Sequence, residues 1–144
     1  MSGPALQVTF DAADPRALAA FWAEALGYVR QPPPAGFADW DSFLESVGVP
    51  AGERDSKDAL VDPAGTRPRL FFQRVPEPKA GKNRMHLDVN VGAGVADAGA
   101  RRDLVRRRAA ELITLGASIV TESEELGDSW GVLADPEGNE FCLQ

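Results

Sequence analysis

One order of signals occurs twice along this 144-residue chain, and it leaves few folds open. Each time, an alternating strand is followed by a helix closed by Leu-Gly and then by a strand ending in Asp-Pro-x-Gly. The first copy reads LQVTFDA, DPRALAAFWAEALG and VDPAG; the second reads MHLDVNV, ARRDLVRRRAAELITLG and ADPEG. Such self-similarity marks one supersecondary unit used twice. Gly27 and Gly116 lie 89 positions apart whereas Asp62 and Asp135 lie 73 apart, so the first copy carries 16 more residues between helix and turn. Residues 32–56, rich in proline and glycine around a single short helical pattern, house that surplus as an inserted connection. A lid or a cavity wall is its expected use.

The first helix has Asp14 as N-cap, Pro15 in the first turn and Gly27 as its stop, with Leu18, Phe21, Trp22, Ala25 and Leu26 on one apolar stripe. The second places Val105, Ala109 and Leu112 on one side and crowds Arg101, Arg102, Arg106, Arg107 and Arg108 onto the remainder, which reads as a solvated face. In each Asp-Pro-x-Gly turn, proline presets one backbone angle and glycine supplies a positive one, so each turn joins two antiparallel strands. The chain is therefore read as α+β: two βαβββ modules, 5–77 with the insertion at 32–56 and 84–144, within a single domain spanning 1–144. Their sheets are expected to lie edge to edge as one curled mixed sheet around a central cavity.

Side chains alternate across a strand. Leu6, Val8, Phe10 and Ala12 thus share one face and Gln7, Thr9 and Asp11 the other. Met85, Leu87, Val89 and Val91 likewise oppose His86, Asp88 and Asn90, and Phe141 and Leu143 oppose Glu140, Cys142 and Gln144. Helices must cover the apolar sets. The polar sets then face either solvent or a hollow, and a mixture of His, Asn, Gln, Thr, Asp and Cys suits a lined pocket better than a wet edge.

Composition narrows the partners. Acidic residues outnumber basic ones 22 to 15, a formal charge of −7, which argues against nucleic acid and anionic membrane surfaces. There is no basic-then-apolar leader at the start and no apolar run of about 18 residues, so a cytoplasmic protein is expected. A single cysteine, Cys142, excludes an internal disulfide and cysteine-rich zinc modules.

With those motifs in place, the chain resembles the vicinal oxygen chelate superfamily, which includes glyoxalase I, bleomycin-resistance proteins, fosfomycin-resistance enzymes and extradiol dioxygenases. The resemblance is carried by VTFDAADPRALAAFWAEALGY, DPAGTRPRLFFQRVPEPKAGKNRMHLDV and WGVLADPEGNEFCL, and its central segment is similar to a glyoxalase-like subgroup. It implies a divalent metal held by inner-face residues of the first and last strands of each module. Carried over by position, those are Gln7, His86, Cys142 and either Phe71 or Gln73. Gln7 stands where a histidine is usual and Cys142 where a glutamate is usual, so the metal set is degenerate. No cofactor is expected, beyond room for a weakly held divalent ion.

The expected function is small-molecule binding without a tightly bound metal, the ligand lying in the cavity between the modules against Gln7, Thr9, Asp11, Phe71, Gln73, Asp88, Asn90, Glu140 and Cys142. Trp40, with Phe37 and Phe43, is either an aromatic wall over that ligand or a small satellite core beneath the insertion. The alternative is a lyase or isomerase in which His86 is metal ligand or general base, steered by Asp88 or Asp11; the plain reading of His86 is an inert side chain bonded to Gln7 or Asp88. A structural or regulatory module is a third reading. Lys79, Lys82 and Arg84 either rim the site or belong to a solvated loop whose Asn83 or Arg84 ties the modules together. A homodimer is implied by the resemblance alone.

Overall fold

A computed structural model describes residues 3–125 and 128–144, with backbone alone at 123–125 and 128–130. The chain divides into two compact units, Met1–Pro78 and Lys79–Gln144. The first runs β1 (Gln7–Ala12), α1 (Pro15–Leu26), β2 (Val29–Arg30), α2 (Trp40–Ser46), β3 (Lys57–Val61) and β4 (Arg69–Arg74). The second runs β5 (Asp88–Val89), α3 (Ala98–Thr114), β6 (Ser118–Glu125), β7 (Asp128–Ala134) and β8 (Glu140–Leu143). Each unit holds one four-stranded mixed sheet, in the orders β1-β4-β3-β2 and β5-β8-β7-β6. Numbered from its own first strand, each is the same sheet, so the expected pair of βαβββ copies is present.

The first unit's core follows from its spacing. Asp14 accepts a hydrogen bond from the Ala17 N–H, Pro15 opens the helix, and Gly27 closes it in the left-handed conformation. Leu18, Phe21, Trp22 and Ala25 are buried together with Leu60, Leu70 and Phe72 of the sheet. Phe72, wholly buried, stacks on Phe10 at 5.1 Å between centroids, and Phe10 meets Trp22 at 5.3 Å. In the second unit Val105 and Leu112 of α3 are buried, as are Val89, Leu133, Phe141 and Leu143 of the sheet. Ala109 is only half-buried. Arg106 and Arg107 are solvated as expected, but Arg101 departs from that reading: its Nη1 donates to the carbonyls of Val95 and Ala96, each at 2.8 Å, and pins the loop before its helix.

The alternation fails at one end of each opening strand. Leu6 is 71% and Met85 89% exposed, while Val8 and Leu87 on the same faces are half-buried, because regular pairing starts only at Gln7 and at Asp88. The strand expected over 85–91 is two residues long. A bond from the Cys142 N–H to the Leu87 carbonyl, 2.9 Å, extends its alignment back toward His86.

Both Asp-Pro-x-Gly turns are closed from within by their buried aspartates. Asp62 accepts from the backbone N–H of Ala64, Thr66 and Arg67 and from the Thr66 hydroxyl, and pairs with Arg67 Nη2 at 2.9 Å. Asp135 accepts from the N–H of Glu137 and Asn139 and from the Asn139 side-chain amide. Gly65 and Gly138, at φ of 69° and 87°, occupy the one conformation in each turn that a Cβ would strain.

The Arg67 guanidinium holds the Asp62 carboxyl well below the usual carboxylate range; burial opposes it, and the N–H groups of Thr66, Arg67 and Ala64 add to it. A carboxyl lowered on folding stabilises the native state fully above its unfolded value of about 4, and that contribution fades as pH falls through the folded value. Asp62→Asn is therefore expected to lower the urea midpoint most near neutral pH. The gap to the parent should narrow progressively below about pH 4. A gap that stays constant from pH 7 to pH 2 in urea melts would contradict this account.

Candidate functional site

The duplicated turns give the two sheets a common register, which fixes the polar positions. Leu60 faces Leu70 and Leu133 faces Phe141, each leucine two residues before its turn aspartate. Phe71 therefore corresponds to Cys142, Gln73 to Gln144 and Arg69 to Glu140. In the parallel ladders Thr9 faces Phe71 and Asp88 faces Cys142, so Thr9 corresponds to Asp88, Gln7 to His86 and Asp11 to Asn90. Of the two last-strand residues left open by sequence, Phe71 rather than Gln73 occupies the position equivalent to Cys142.

The same bonds recur on both polar faces. Gln73 Nε2 donates to Asp11 Oδ1 at 2.9 Å, and at the corresponding place Gln144 Nε2 donates to Asn90 Oδ1 at 2.7 Å. Gln7 Nε2 approaches the Thr9 hydroxyl at 3.4 Å, and His86 Nδ1 lies 3.1 Å from Asp88 Oδ1. A duplicated hydrogen-bond frame thus underlies two sets of side chains that otherwise differ.

On the second unit, His86, Asp88 and Cys142 converge: one donor atom from each lies within 4.8 Å of the others. The imidazole and the carboxylate are 42% and 48% exposed, so the group is open to solutes. An ionised Asp88 is satisfied by Nδ1–H, which assigns the neutral ring the tautomer with a free acceptor at Nε2. Cys142 Sγ sits 3.7 Å from the same Nδ1. Burial, and then the Asp88 carboxylate, push the Cys142 thiol up, with Lys82 opposing them. A thiol held protonated in this way is a poor nucleophile.

Glu140, expected at the same site, is committed elsewhere: it accepts from the Asn83 N–H at 3.0 Å and pairs with Lys79 at 3.3 Å. The N–H of Asn83, then that of Glu140 itself, and after them Lys79 lower its carboxyl in spite of burial. The Lys79 charge is thereby balanced locally, and Asn83 fastens the segment before β5 onto β8. Lys82 and Arg84 are exposed.

On the first unit Gln7 is occupied: its Oε1 accepts from Arg69 Nη1 at 2.8 Å. Arg69 shares the face of Gln7, Phe71 and Gln73 and was not singled out by the sequence reading, although the alternation Arg69-Phe71-Gln73 contains it. Trp40 is part of a small cluster of half-buried rings with Phe43 and Phe37, at 5.8 Å and 5.2 Å between successive centroids. Its Nε1 donates to the Gln31 carbonyl at 2.8 Å.

These side chains decide how far a metal fits. On the first sheet Phe71 offers no donor, and Gln7 gives its oxygen to a guanidinium whose charge repels a cation. On the second sheet a nitrogen, a thiol and one carboxylate suit a borderline ion such as zinc in kind, whereas a hard ion such as Mn(II) wants mainly oxygen donors. Asp88 would be the third donor; sequence reasoning had placed it against the ligand and given it a steering part, but had not counted it among the metal positions, although the His-x-Asp spacing puts both on one face.

Residues 7–144 match a family model described as a glyoxalase-like domain. No curated protein matches the sequence. Among solved structures, the chain is similar to a glyoxalase/bleomycin resistance protein/dioxygenase family enzyme from Burkholderia phytofirmans PsJN, with 19% identity and a TM-score of 0.62 over 95% of this chain and 94% of that one. It is similar also to a fosfomycin resistance protein from Listeria monocytogenes, crystallised with Mn(II) and a dihydroxypropylphosphonic acid, with 12% identity and a TM-score of 0.62 over 100% and 90%. A glyoxalase/dioxygenase from Nostoc punctiforme matches with 16% identity and a TM-score of 0.57 over 95% and 86%. At these identities the likeness speaks for the fold. Among the described residues no helix is long and apolar enough to cross a membrane.

Proposed function

The chain belongs to the glyoxalase-like domain family, and on that premise we propose that it binds a small organic molecule against the polar faces of its sheets without a tightly bound metal. It then works in the manner of a bleomycin-resistance protein, by sequestering its ligand. One observation carries this reading: the polar frame is kept in both copies, while on the first sheet the superfamily's ligand positions hold a Gln tied to an arginine and a Phe. A frame retained without the chelating residues favours binding over metal chemistry.

Equilibrium titration against cationic aromatic antibiotics and a panel of small metabolites, with turnover followed in parallel, tests it. His86→Ala is expected to weaken the responding ligand about tenfold, the cost of one polar contact to the ligand, with the melting temperature unchanged. A ligand indifferent to His86→Ala, or consumed during the titration, would count against sequestration at this face.

The second reading is a lyase or isomerase, and the His86–Asp88 pair favours it. A carboxylate 3.1 Å from Nδ1 orients the ring and leaves Nε2 as base. In that case both His86→Ala and His86→Gln should lower turnover by about 10²–10⁴ while leaving binding nearly intact.

A further inference from the structure

Arg69 stands opposite Gln7 at the start of β4, and its guanidinium is fixed from several sides. Nε donates to Gln31 Oε1 at 2.6 Å, Nη1 to Gln7 Oε1 at 2.8 Å, and the group lies 5.3 Å from the Phe71 ring centroid. Gln31 is itself anchored: its N–H donates to the Ala59 carbonyl at 3.0 Å, and its own carbonyl receives the Trp40 indole. Four other arginines of this unit pair with carboxylates: Arg30 with Asp58, Arg54 with Asp41, Arg67 with Asp62 and Arg74 with Asp55. Among the described residues Arg69 pairs with none. Its partners are two neutral amides, which orient the charge without balancing it.

A half-buried guanidinium without a counter-ion is costly to fold around, because it gives up water and receives no opposite charge. Of its five N–H groups two are taken by the glutamines, which leaves three, and a carboxylate needs two in the forked arrangement. One fixed positive charge matches one negative charge, and a chain of net charge −7 disfavours a dianion. At the corresponding place on the second unit stands Glu140, already paired with Lys79, so Arg69 lies outside the duplicated frame.

From these contacts we infer that Arg69, held by Gln7 and Gln31 over Phe71, is a recognition site for a small organic carboxylate. The inference rests on the binding function proposed above and names the ligand class for its first-unit face. Trp40 is a positioning residue, acting through the Gln31 backbone.

The test uses the whole protein with benzoate, benzamide and inorganic phosphate as probes, followed by calorimetry and by the arginine Nε–H signals in NMR. Benzoate should saturate and shift the Arg69 signal, identified by its loss in Arg69→Gln, while benzamide and phosphate bind at least about tenfold more weakly. Arg69→Gln should lower benzoate affinity about tenfold or more, and Arg69→Lys should recover part of it as a point charge without the fork. Should Arg69→Gln fail to fold, Gln7→Glu takes its place, since it sets a carboxylate against the guanidinium and should block benzoate equally.

Equal binding of benzoate and benzamide, phosphate binding as tightly as benzoate, no benzoate binding, or benzoate affinity unmoved by these variants would each overturn the inference. A neutral or cationic ligand that depends on His86 while benzoate is refused would remove the carboxylate and leave the binding function standing. Loss of both responses would remove both.

Discussion

Phe72→Ala is expected to cost about 3–5 kcal/mol, measured as the difference in unfolding free energy from urea melts. Phe72 is fully buried at the middle of β4, between β1 and β3, with its ring stacked 5.1 Å from that of Phe10. Truncation removes the transfer of a whole aromatic side chain and leaves a hole that the stacked Phe10 and the α1 side chains can only partly fill. Against a typical total of about 5–15 kcal/mol, that is about a fifth or more of the stability and roughly 10–20 °C in melting temperature. The adjacent residue supplies the control. Phe71 is half-buried on the opposite face, so Phe71→Ala should cost about 1 kcal/mol or less and act instead on carboxylate binding. Equal losses for the two would mean that the alternation of faces along β4 is wrong.

The second large effect is Asp135→Ala, expected to cost about 2–4 kcal/mol in the same measurement. Asp135 is 3% exposed and takes up the N–H groups of Glu137 and Asn139 together with the Asn139 side-chain amide. Alanine strands these donors where water reaches them poorly, and a stranded donor costs more than the bond was worth. Asp135→Asn keeps the shape and one acceptor oxygen, so it should lose distinctly less. An alanine variant as stable as the asparagine one would show that the turn is held by its proline and glycine alone.

Much of this architecture was legible in the residues because it is local. Asp14, Pro15 and Gly27 mark the ends of α1 within a few positions of their effect, and the Asp-Pro-x-Gly turns encode their hairpins inside a handful of residues. The polar and apolar faces followed from alternation wherever a strand is paired on both sides, as β4 is. Alternation misled at Leu6 and Met85, because it describes a strand's faces and not where its pairing begins.

The site was harder to read. The register makes Gln7 the counterpart of His86 and Phe71 the counterpart of Cys142, and the choice between Phe71 and Gln73 needed the ladder itself. Glu140 was read by its face alone, and nothing in the pattern said that Asn83 and Lys79 would claim it. Arg69 was passed over because a ligand search looks for donors to a cation. Its significance lies in being held by the amides of Gln7 and Gln31 rather than by a carboxylate, a pairing that only the fold reveals.

The hydrogen-bonded ladders also differ in how much chain each must gather. The hairpins β3–β4 and β7–β8 close over a few residues around an aspartate that locks its own turn, and such contacts form on microsecond timescales. The parallel pairs join Gln7 to Arg69 across 62 residues and Asp88 to Cys142 across 54, and long closures form late because their entropy is lost before any contact rewards it. The proposed ligand-facing groups all lie along those late seams. A nascent or partly melted chain would therefore keep its hairpins and yet be unable to recognise anything, so ligand binding becomes a reporter of completed folding rather than of secondary structure.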